Sequence, residues 1–332
     1  MWERVCEAMA RGAVQKGRLE IGYPSGTIGR HGPGSERGGG PDVRIDIADR
    51  ATLRRIVLTP ELALGEAYMN GTLTIANDDV DGLLALLAIN TAHARHTWWR
   101  RVALQVRRLR RRVDQWNPAH RARQNVAHHY DLSAELYDLF LDADRQYSCA
   151  YFTHPDASLE EAQAAKKAHI AAKLRLEPGM EVLDIGCGWG GLALTLARDY
   201  GVRVLGVTLS EEQHRIATAR AAEAGLSGRV AFELKDYRQV TRTFDRIVSV
   251  GMFEHVGAPH YGEYFAHVHA KLKQGGIALI HTIGRSTPPG STSPWITKYI
   301  FPGGYVPAMS EMLAAIEPTG LAATDVEVWR LH

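Results

Sequence analysis

The chain has 332 residues, of which 45% are hydrophobic and 23% charged, and its formal net charge is +2. This composition is typical of a globular protein with room for two domains. The longest apolar run, Leu83 to Ile89, is too short to span a bilayer, and the first residues show no apolar signal segment. The three cysteines, Cys6, Cys149 and Cys187, are too few and too widely spaced for a disulfide framework or a CxxC metal site. We therefore expect a cytoplasmic protein.

The first 92 residues predict a small α+β domain. Arg18 to Tyr23 and Val43 to Ile47 are strand-like, and Val80 to Asn90 has helical character. Between the two strands, Pro24 to Pro41 is rich in glycine and proline, which predicts a mobile loop.

Residues 93–123 form the most basic part of the chain, with arginines from Arg95 to Arg123. Apolar residues recur there at helical spacing, which predicts a basic amphipathic connector helix. A solvated face is the default for a charge run, and arginines beside tryptophans also occur in nucleic-acid binding. Trp98 and Trp99 beside an apolar stripe favour adsorption to an anionic leaflet instead. We expect this helix to bind a phospholipid membrane and not a nucleic acid.

Residues 124–332 alternate helix and strand, which predicts a doubly wound α/β domain. A helix is expected from Leu159 to Leu174. Strands are expected near 181–185, 202–207, 229–233, 245–250 and 276–282, with a sixth around Thr324 to Trp329.

A glycine turn from Gly186 to Gly191 follows the first of these strands. Its G-x-G-x-x-G spacing suits either a dinucleotide or S-adenosylmethionine. A dinucleotide site needs an acid at the tip of the second strand, whereas that tip here is Thr208-Leu209-Ser210. Asp184, two residues before the first glycine, fits the methyltransferase pattern, so S-adenosylmethionine is the better prediction.

Two further groups of sequence motifs make the prediction of function more specific. The first comprises Asn125 to Leu132 and Tyr147 to Phe152, and the second comprises Gly251 to Gly257, Leu279 to Gly284 and Pro294 to Gly304. In this order they resemble the cyclopropane-fatty-acyl-phospholipid synthases, a family related to the mycolic acid cyclopropane synthases. The resemblance implies a class I methyltransferase, Rossmann-like sheet. Such sheets normally have seven strands, and the last would be missing here, so we expect a fragment or a poorly active form.

The resemblance implies transfer of a methylene group from S-adenosylmethionine to a cis double bond of a phospholipid acyl chain. The methyl group adds to the alkene, a carbocation forms, and loss of a proton closes the ring. In the family a bound bicarbonate takes this proton. The positions that match its ligands are Cys149, Glu254, His281 and the backbone amide of Ile283, while the family's tyrosine would lie beyond residue 332. Tyr151, Phe253 and Tyr299 are candidate aromatic partners for the cation.

The family also implies a set of cofactor-binding residues. They are Tyr147, Ser148, Asp184, Gly186, Gly188, Gly190, Thr208, Leu209, Ser210, Gln213, Asp236 and Tyr237. His128 and His129 lack the companion ligands of a metal motif, so no metal is expected.

Other functions stay open at this point. The methyl acceptor could be an acyl chain that is methylated without ring closure, or a small amine. The protein could also bind the cofactor without catalysing a reaction. The family suggests a homodimer, although no interface can be derived from the sequence. A lipid substrate places the expected protein at the inner face of the cytoplasmic membrane.

Overall fold

The structure is a computed structural model, and it describes residues 1–91 and 134–330. Two compact units divide the chain: residues 1–107 with 293–299 form the first, and residues 108–292 with 300–332 form the second. The predicted basic helix from Arg95 to Arg123 and the pair His128 and His129 lie outside the described residues. The domain boundaries predicted from the sequence stay predictions.

The first unit contains a small mixed sheet with strand order β2-β1-β3-β4. Strand β1 pairs antiparallel with β2 and parallel with β3, and its side chains alternate between the core and the surface. This alternation places Leu19, Ile21 and Tyr23 in the core. The elements are α1 (Trp2–Ala13), β1 (Gly17–Gly22), β2 (Ile28–Gly34), α2 (Ser35–Gly38), β3 (Asp42–Ile47), α3 (Arg50–Leu58), α4 (Pro60–Met69), β4 (Leu73–Ile75) and α5 (Val80–Thr91).

The tract from Pro24 to Pro41 is not a loop throughout, so the sequence prediction for it was wrong. It forms a tight turn and then β2, because Tyr23 N–H donates to Thr27 O at 2.9 Å and Gly26 takes the positive φ that the turn needs. His31 in β2 is buried against the sheet. The glycines that suggested mobility are therefore the residues that allow a β-hairpin.

The second unit is built on a parallel sheet with strand order β7-β6-β5-β8-β9. An α-helix follows each of the first, second and fourth strands along the chain, and a short 3-10 helix follows the third. The predicted doubly wound α/β fold is therefore confirmed. The elements are α6 (Ala134–Asp138), α7 (Leu159–Leu174), β5 (Glu181–Ile185), α8 (Gly191–Tyr200), β6 (Arg203–Thr208), α9 (Glu211–Glu223), β7 (Val230–Leu234), β8 (Phe244–Val250), α10 (Tyr261–Lys271), β9 (Leu272–His281), α11 (Pro294–Tyr299) and α12 (Met309–Ile316), of which α11 belongs to the first unit.

Helix α7 begins and ends where the sequence predicts. Ser158 caps it, since its Oγ accepts from Glu161 N–H at 3.2 Å while the Glu161 carboxylate accepts from Ser158 N–H at 2.8 Å. Strand β5 is central and its residues are almost wholly buried, as the apolar run Val182, Leu183 and Ile185 requires. The carboxyl ends of β5, β6 and β8 thus meet at one edge of the sheet, where ligands bind in such folds.

Helix α11 packs within the first unit. Lys298 Nζ and Tyr299 OH donate to Glu66 Oε1 on α4 at 2.6 and 2.8 Å, and Arg55 pairs with the other oxygen. These donors hold the pKa of Glu66 below its ordinary value.

The predicted sixth strand around Thr324 to Trp329 is not formed, and that prediction was wrong. Residues 322–328 are all exposed, with Val326 and Val328 at 52% and 69%. The segment contacts α7 through polar groups, since Glu327 binds His169 at 2.8 Å and pairs with Lys173 at 2.7 Å. Ion pairs to α7 thus replace the expected pairing with the sheet.

Candidate active site

The glycine turn joins β5 to α8 with a backbone that only glycine adopts easily. Gly186, Gly188 and Gly190 have φ values of 81°, 54° and 85°. The Gly186 N–H donates to Val207 O at 2.9 Å, which draws the ends of β5 and β6 together. A Cβ atom on Gly186 would lie 2.8 Å from Met252 Cβ. The turn therefore leaves backbone exposed at the edge of the sheet without room for a side chain at its first glycine.

A pocket opens in front of this turn, at the carboxyl ends of the strands. Its walls come from the turn, from the tips of β6, β7 and β8, and from the segment before α7. The lining residues are Arg145, Gln146, Tyr147, Ser148, Asp184, Ile185, Gly186, Cys187, Gly188, Trp189, Leu192, Val207, Thr208, Leu209, Gln213, Lys235, Asp236, Tyr237, Arg238, Val250, Gly251, Met252, His255, Val256 and His260.

Every predicted cofactor residue except Gly190 and Ser210 lines this pocket. Gly190 instead packs against Phe232, whose ring a Cβ atom would meet at 2.7 Å. Ser210 caps α9 by accepting from Gln213 N–H at 3.3 Å. Both residues thus support the pocket wall without facing it.

Asp184 lies at the base of the pocket, at the end of β5. Its side chain is buried, and this burial raises the pKa of the carboxyl group to about 7. A ligand that brings its own hydrogen-bond donors would favour the ionised form of this carboxyl group.

Replacing Asp184 by Asn should make stability less dependent on pH. Since the folded pKa is about 7 and the ordinary value is about 3.9, the folded state keeps a proton in this window that the unfolded state releases. Wild-type stability should therefore fall as pH rises through the window, by up to about 1.4 kcal/mol per pH unit. Urea unfolding of the cofactor-free proteins from about pH 5 to about pH 8 measures this. Equal slopes for wild type and Asp184→Asn would contradict it.

Glu254 lies in a short 3-10 helix just after β8 and does not line the pocket. Its Oε1 accepts from Ile283 N–H at 2.7 Å, and its backbone carbonyl accepts from Tyr305 N–H at 2.9 Å. Its Oε2 is buried and has no hydrogen-bond partner within residues 1–91 and 134–330. Burial raises the pKa of Glu254, although the Ile283 amide and the nearby Thr282 hydroxyl oppose the rise.

His281 ends β9, directly beside the end of β8, since its carbonyl accepts from Gly251 N–H at 3.0 Å. The Nδ1 atom is buried and finds no partner among the described residues. Burial, and then the charge of Lys166, lower the pKa of His281 to about 4, so the ring is neutral at physiological pH. Cys149 is half-buried and follows Ser148 directly. The structure thus brings Glu254, Ile283 and His281 to adjacent strand ends.

The three candidate aromatic partners of the cation are occupied elsewhere, and none lines the pocket. Phe253 is fully buried and stacks on Tyr261 with ring centroids 4.3 Å apart. Tyr151 stacks on His169 at 4.7 Å, and Tyr299 binds Glu66 in the first unit. Packing, which the sequence does not reveal, determines these contacts.

Sequence reasoning missed several pocket residues that adjoin predicted ones. Trp189 lies inside the glycine turn, Arg238 follows Tyr237, and His255 follows Glu254. The sequence signal that could have identified them is that each lies inside or next to a predicted motif. Arg238 donates to Asp236 at 2.6 Å, so this aspartate enters the pocket already paired with a cation.

Neither a metal site nor a membrane span is found in the part of the chain that the structure describes. No group of three or more His, Cys, Asp or Glu residues within residues 1–91 and 134–330 could hold a metal ion. No helix in those ranges is long and apolar enough to cross a bilayer.

The chain is similar to known lipid-modifying methyltransferases. It is 42% identical over 279 residues to the cyclopropane-fatty-acyl-phospholipid synthase of Escherichia coli, an alignment that covers 83% of this chain and 70% of that protein. The cyclopropane synthase MmaA2 of Mycobacterium tuberculosis is 36% identical, with a TM-score of 0.58 over 63% of this chain and 77% of that one. The mycolic acid cyclopropane synthase CmaA1, solved with SAH and CTAB, has the same identity and TM-score over 64% and 79%.

The model of the mycolic acid cyclopropane synthetase family matches residues 118–332. The predicted family, its class I S-adenosylmethionine-dependent methyltransferase fold and its enzyme class are therefore confirmed. The pocket beside the glycine turn is where the sequence predicts the cofactor. The chain belongs to the mycolic acid cyclopropane synthetase family and is a homologue of the cyclopropane-fatty-acyl-phospholipid synthases.

Proposed function

We propose that this protein transfers a methylene group from S-adenosylmethionine to a cis double bond of an unsaturated phospholipid acyl chain, forming a cyclopropane ring. The observation that carries the proposal is the pair of buried, unpartnered atoms Glu254 Oε2 and His281 Nδ1, at the ends of adjacent strands. Glu254 directly precedes His255 of the pocket lining, and the His281 carbonyl accepts from the N–H of Gly251, which also lines the pocket. Transfer to a heteroatom would not require such a constellation.

The pocket residues would hold S-adenosylmethionine through the glycine turn and polar groups at its rim. Asp184 and Ser148 offer an acceptor and a hydroxyl at one end, and Asp236 offers a carboxylate at the other. An alkene needs no deprotonation before it attacks the methyl group. The task of these residues is therefore to orient the donor and to exclude water.

A small oxyanion such as bicarbonate fits the polar groups of Glu254 and His281. Bound there, it would supply the base that takes the proton lost on ring closure. Glu254 Oε2 would accept the bicarbonate hydroxyl and His281 Nδ1 would donate to a charged oxygen, which satisfies both unpartnered atoms. The Ile283 amide already donates to Glu254, so it orients that carboxylate. Cys149 would donate its thiol from the opposite segment.

We also propose that the protein works as a peripheral protein at the cytoplasmic face of an anionic membrane, through the stretch from Arg95 to Arg123. The support is its sequence alone: arginines interleaved with apolar residues and two tryptophans. Substrates embedded in a bilayer require such an attachment.

Replacing Arg107, Arg108, Arg110, Arg111 and Arg112 together by Gln should weaken cosedimentation with anionic vesicles. Each basic residue near the surface contributes about 1 kcal/mol, so binding at low salt should fall by at least about tenfold. The control replaces Arg198 and Arg215, exposed arginines of α8 and α9, by Gln. Equal vesicle binding by the two variants would contradict the proposal.

The function itself is tested by expressing the protein in a host that lacks cyclopropane lipids and analysing the lipids by mass spectrometry. We expect unsaturated acyl chains to gain one methylene unit and to resist reagents that cleave alkenes. A gain of mass with a retained alkene would favour methyl branching. Unchanged lipids despite a bound cofactor would favour a non-catalytic protein.

A further inference from the structure

Lys166 is a buried charged residue that the proposed function does not use. It lies on α7 and is 0% exposed, yet it forms no ion pair with any carboxylate that the structure describes. Its Nζ donates to Ser148 Oγ at 2.7 Å. An ammonium group has three hydrogens to donate, and burying one without a counter-ion is costly. Its neighbour Lys167, by contrast, pairs with Asp144 at 2.5 Å.

The two acids that act most strongly on Lys166 are Asp142 and Asp144, and neither forms an ion pair with it. Asp142 has the strongest acidic influence on it, but its Oδ1 accepts from Gln146 N–H at 2.7 Å. Asp144 pairs with both Lys167 and Arg220. Burial lowers the pKa of Lys166 to about 8, so most of the population still carries the charge at neutral pH.

Lys166 lies beside the proposed oxyanion site, because its hydrogen-bond partner Ser148 directly precedes Cys149. Its charge also lowers the pKa of His281. His281 is neutral and supplies no positive charge, while Glu254 is an acid. A bound anion would otherwise meet a carboxylate in a buried space with no cation to balance it.

We propose that Lys166 is the fixed counter-ion that allows a small oxyanion to bind between Cys149, Glu254 and His281. This inference rests on the proposed function and names a residue that acts through charge rather than by contact with the reacting carbon. Its hydrogen bond to Ser148 ties the same ammonium group to the wall of the cofactor pocket. Lys166 is thus a positioning residue, whose charge stabilises the bound anion.

The test compares Lys166→Met with Lys271→Met. Lys271 is also a buried lysine of the second unit, and it bonds to the ring of His267 on α10, so it is the control for loss of a buried lysine elsewhere in the unit. Sodium bicarbonate is titrated against sodium chloride at equal ionic strength, and the melting temperature and the rate of methylene transfer are followed. Cofactor affinity is measured separately by calorimetry. Lys166→Gln, which keeps a donor for Ser148 but not the charge, and Lys166→Arg, which keeps the charge, complete the set.

We expect Lys166→Met and Lys166→Gln to need at least about tenfold more bicarbonate for half-maximal rate and for half-maximal thermal stabilisation. Lys271→Met and Lys166→Arg should respond nearly as wild type does, and cofactor affinity should change little. A bicarbonate response that survives in Lys166→Gln, or a loss of cofactor affinity instead, would overturn the inference while leaving the proposed function in place. A wild-type enzyme that transfers methylene without any response to bicarbonate would overturn both.

Discussion

Glu254→Gln is expected to lower the rate of methylene transfer by about 10²- to 10⁴-fold, the usual contribution of a positioned base, because the bicarbonate that would act as this base loses one of its ligands. The amide oxygen of Gln can still accept from the Ile283 N–H, so the local backbone should persist. The change removes the negative charge and puts an NH2 group where Oε2 now awaits a donor. Single-turnover rates with saturating S-adenosylmethionine and unsaturated phospholipid vesicles measure this loss.

Glu263→Gln is the matched control, because Glu263 lies on α10 nearby with a side chain 47% exposed. We expect it to keep wild-type activity. Both variants should bind S-adenosylmethionine within about threefold of wild type, since neither residue lines the pocket. Full activity of Glu254→Gln would show that the buried carboxylate is structural and would favour a different acceptor chemistry.

Gly186→Ala is expected to weaken S-adenosylmethionine binding by about 10- to 100-fold, because overpacking typically costs about 1–3 kcal/mol. The new Cβ atom would lie 2.8 and 2.9 Å from Met252 Cβ and Cγ, so the turn or Met252, both of which line the pocket, must move. The residue also has a φ of 81°, which alanine adopts at a cost. Isothermal titration calorimetry with the cofactor measures the effect.

Gly179→Ala separates the loss of binding from backbone strain. Gly179 has a φ of 86° and no atom within 4 Å of the place a Cβ would occupy, and it lies outside the pocket, before β5. Both variants should lose about 1–2 kcal/mol of stability, but only Gly186→Ala should lose affinity. Equal affinities would contradict the assignment of the glycine turn to the cofactor.

Local patterns in the sequence predicted the features that depend on neighbours along the chain. Helix α7 is an example, since Ser158 and Glu161 form its capping box within four residues. The glycine turn and Asp184 are likewise specified by a short run, and family resemblance added Glu254 and His281. The parallel sheet followed from the alternation of strand and helix patterns.

Features that depend on distant packing were not predicted. Lys166 looks like an ordinary surface lysine in a helix that contains Lys167 and Lys173, and only the folded chain shows that it is buried against Ser148. The segment at Val326 has a strand-like alternation, but ion pairs between Glu327 and α7 determine where it lies. The hairpin within the tract from Pro24 to Pro41 was not predicted because glycine is common both in tight turns and in mobile loops.

The fate of the transferred methyl group tests the central proposal most directly. The purified protein is incubated with S-adenosylmethionine that carries a CD3 group and with vesicles of a cis-unsaturated phospholipid. Methyl addition followed by loss of one of its own deuterons closes the ring, so we predict a saturated product that retains two deuterons. A product that keeps all three deuterons and an alkene, or unchanged lipid from a protein that calorimetry shows to bind the cofactor, would contradict the proposal.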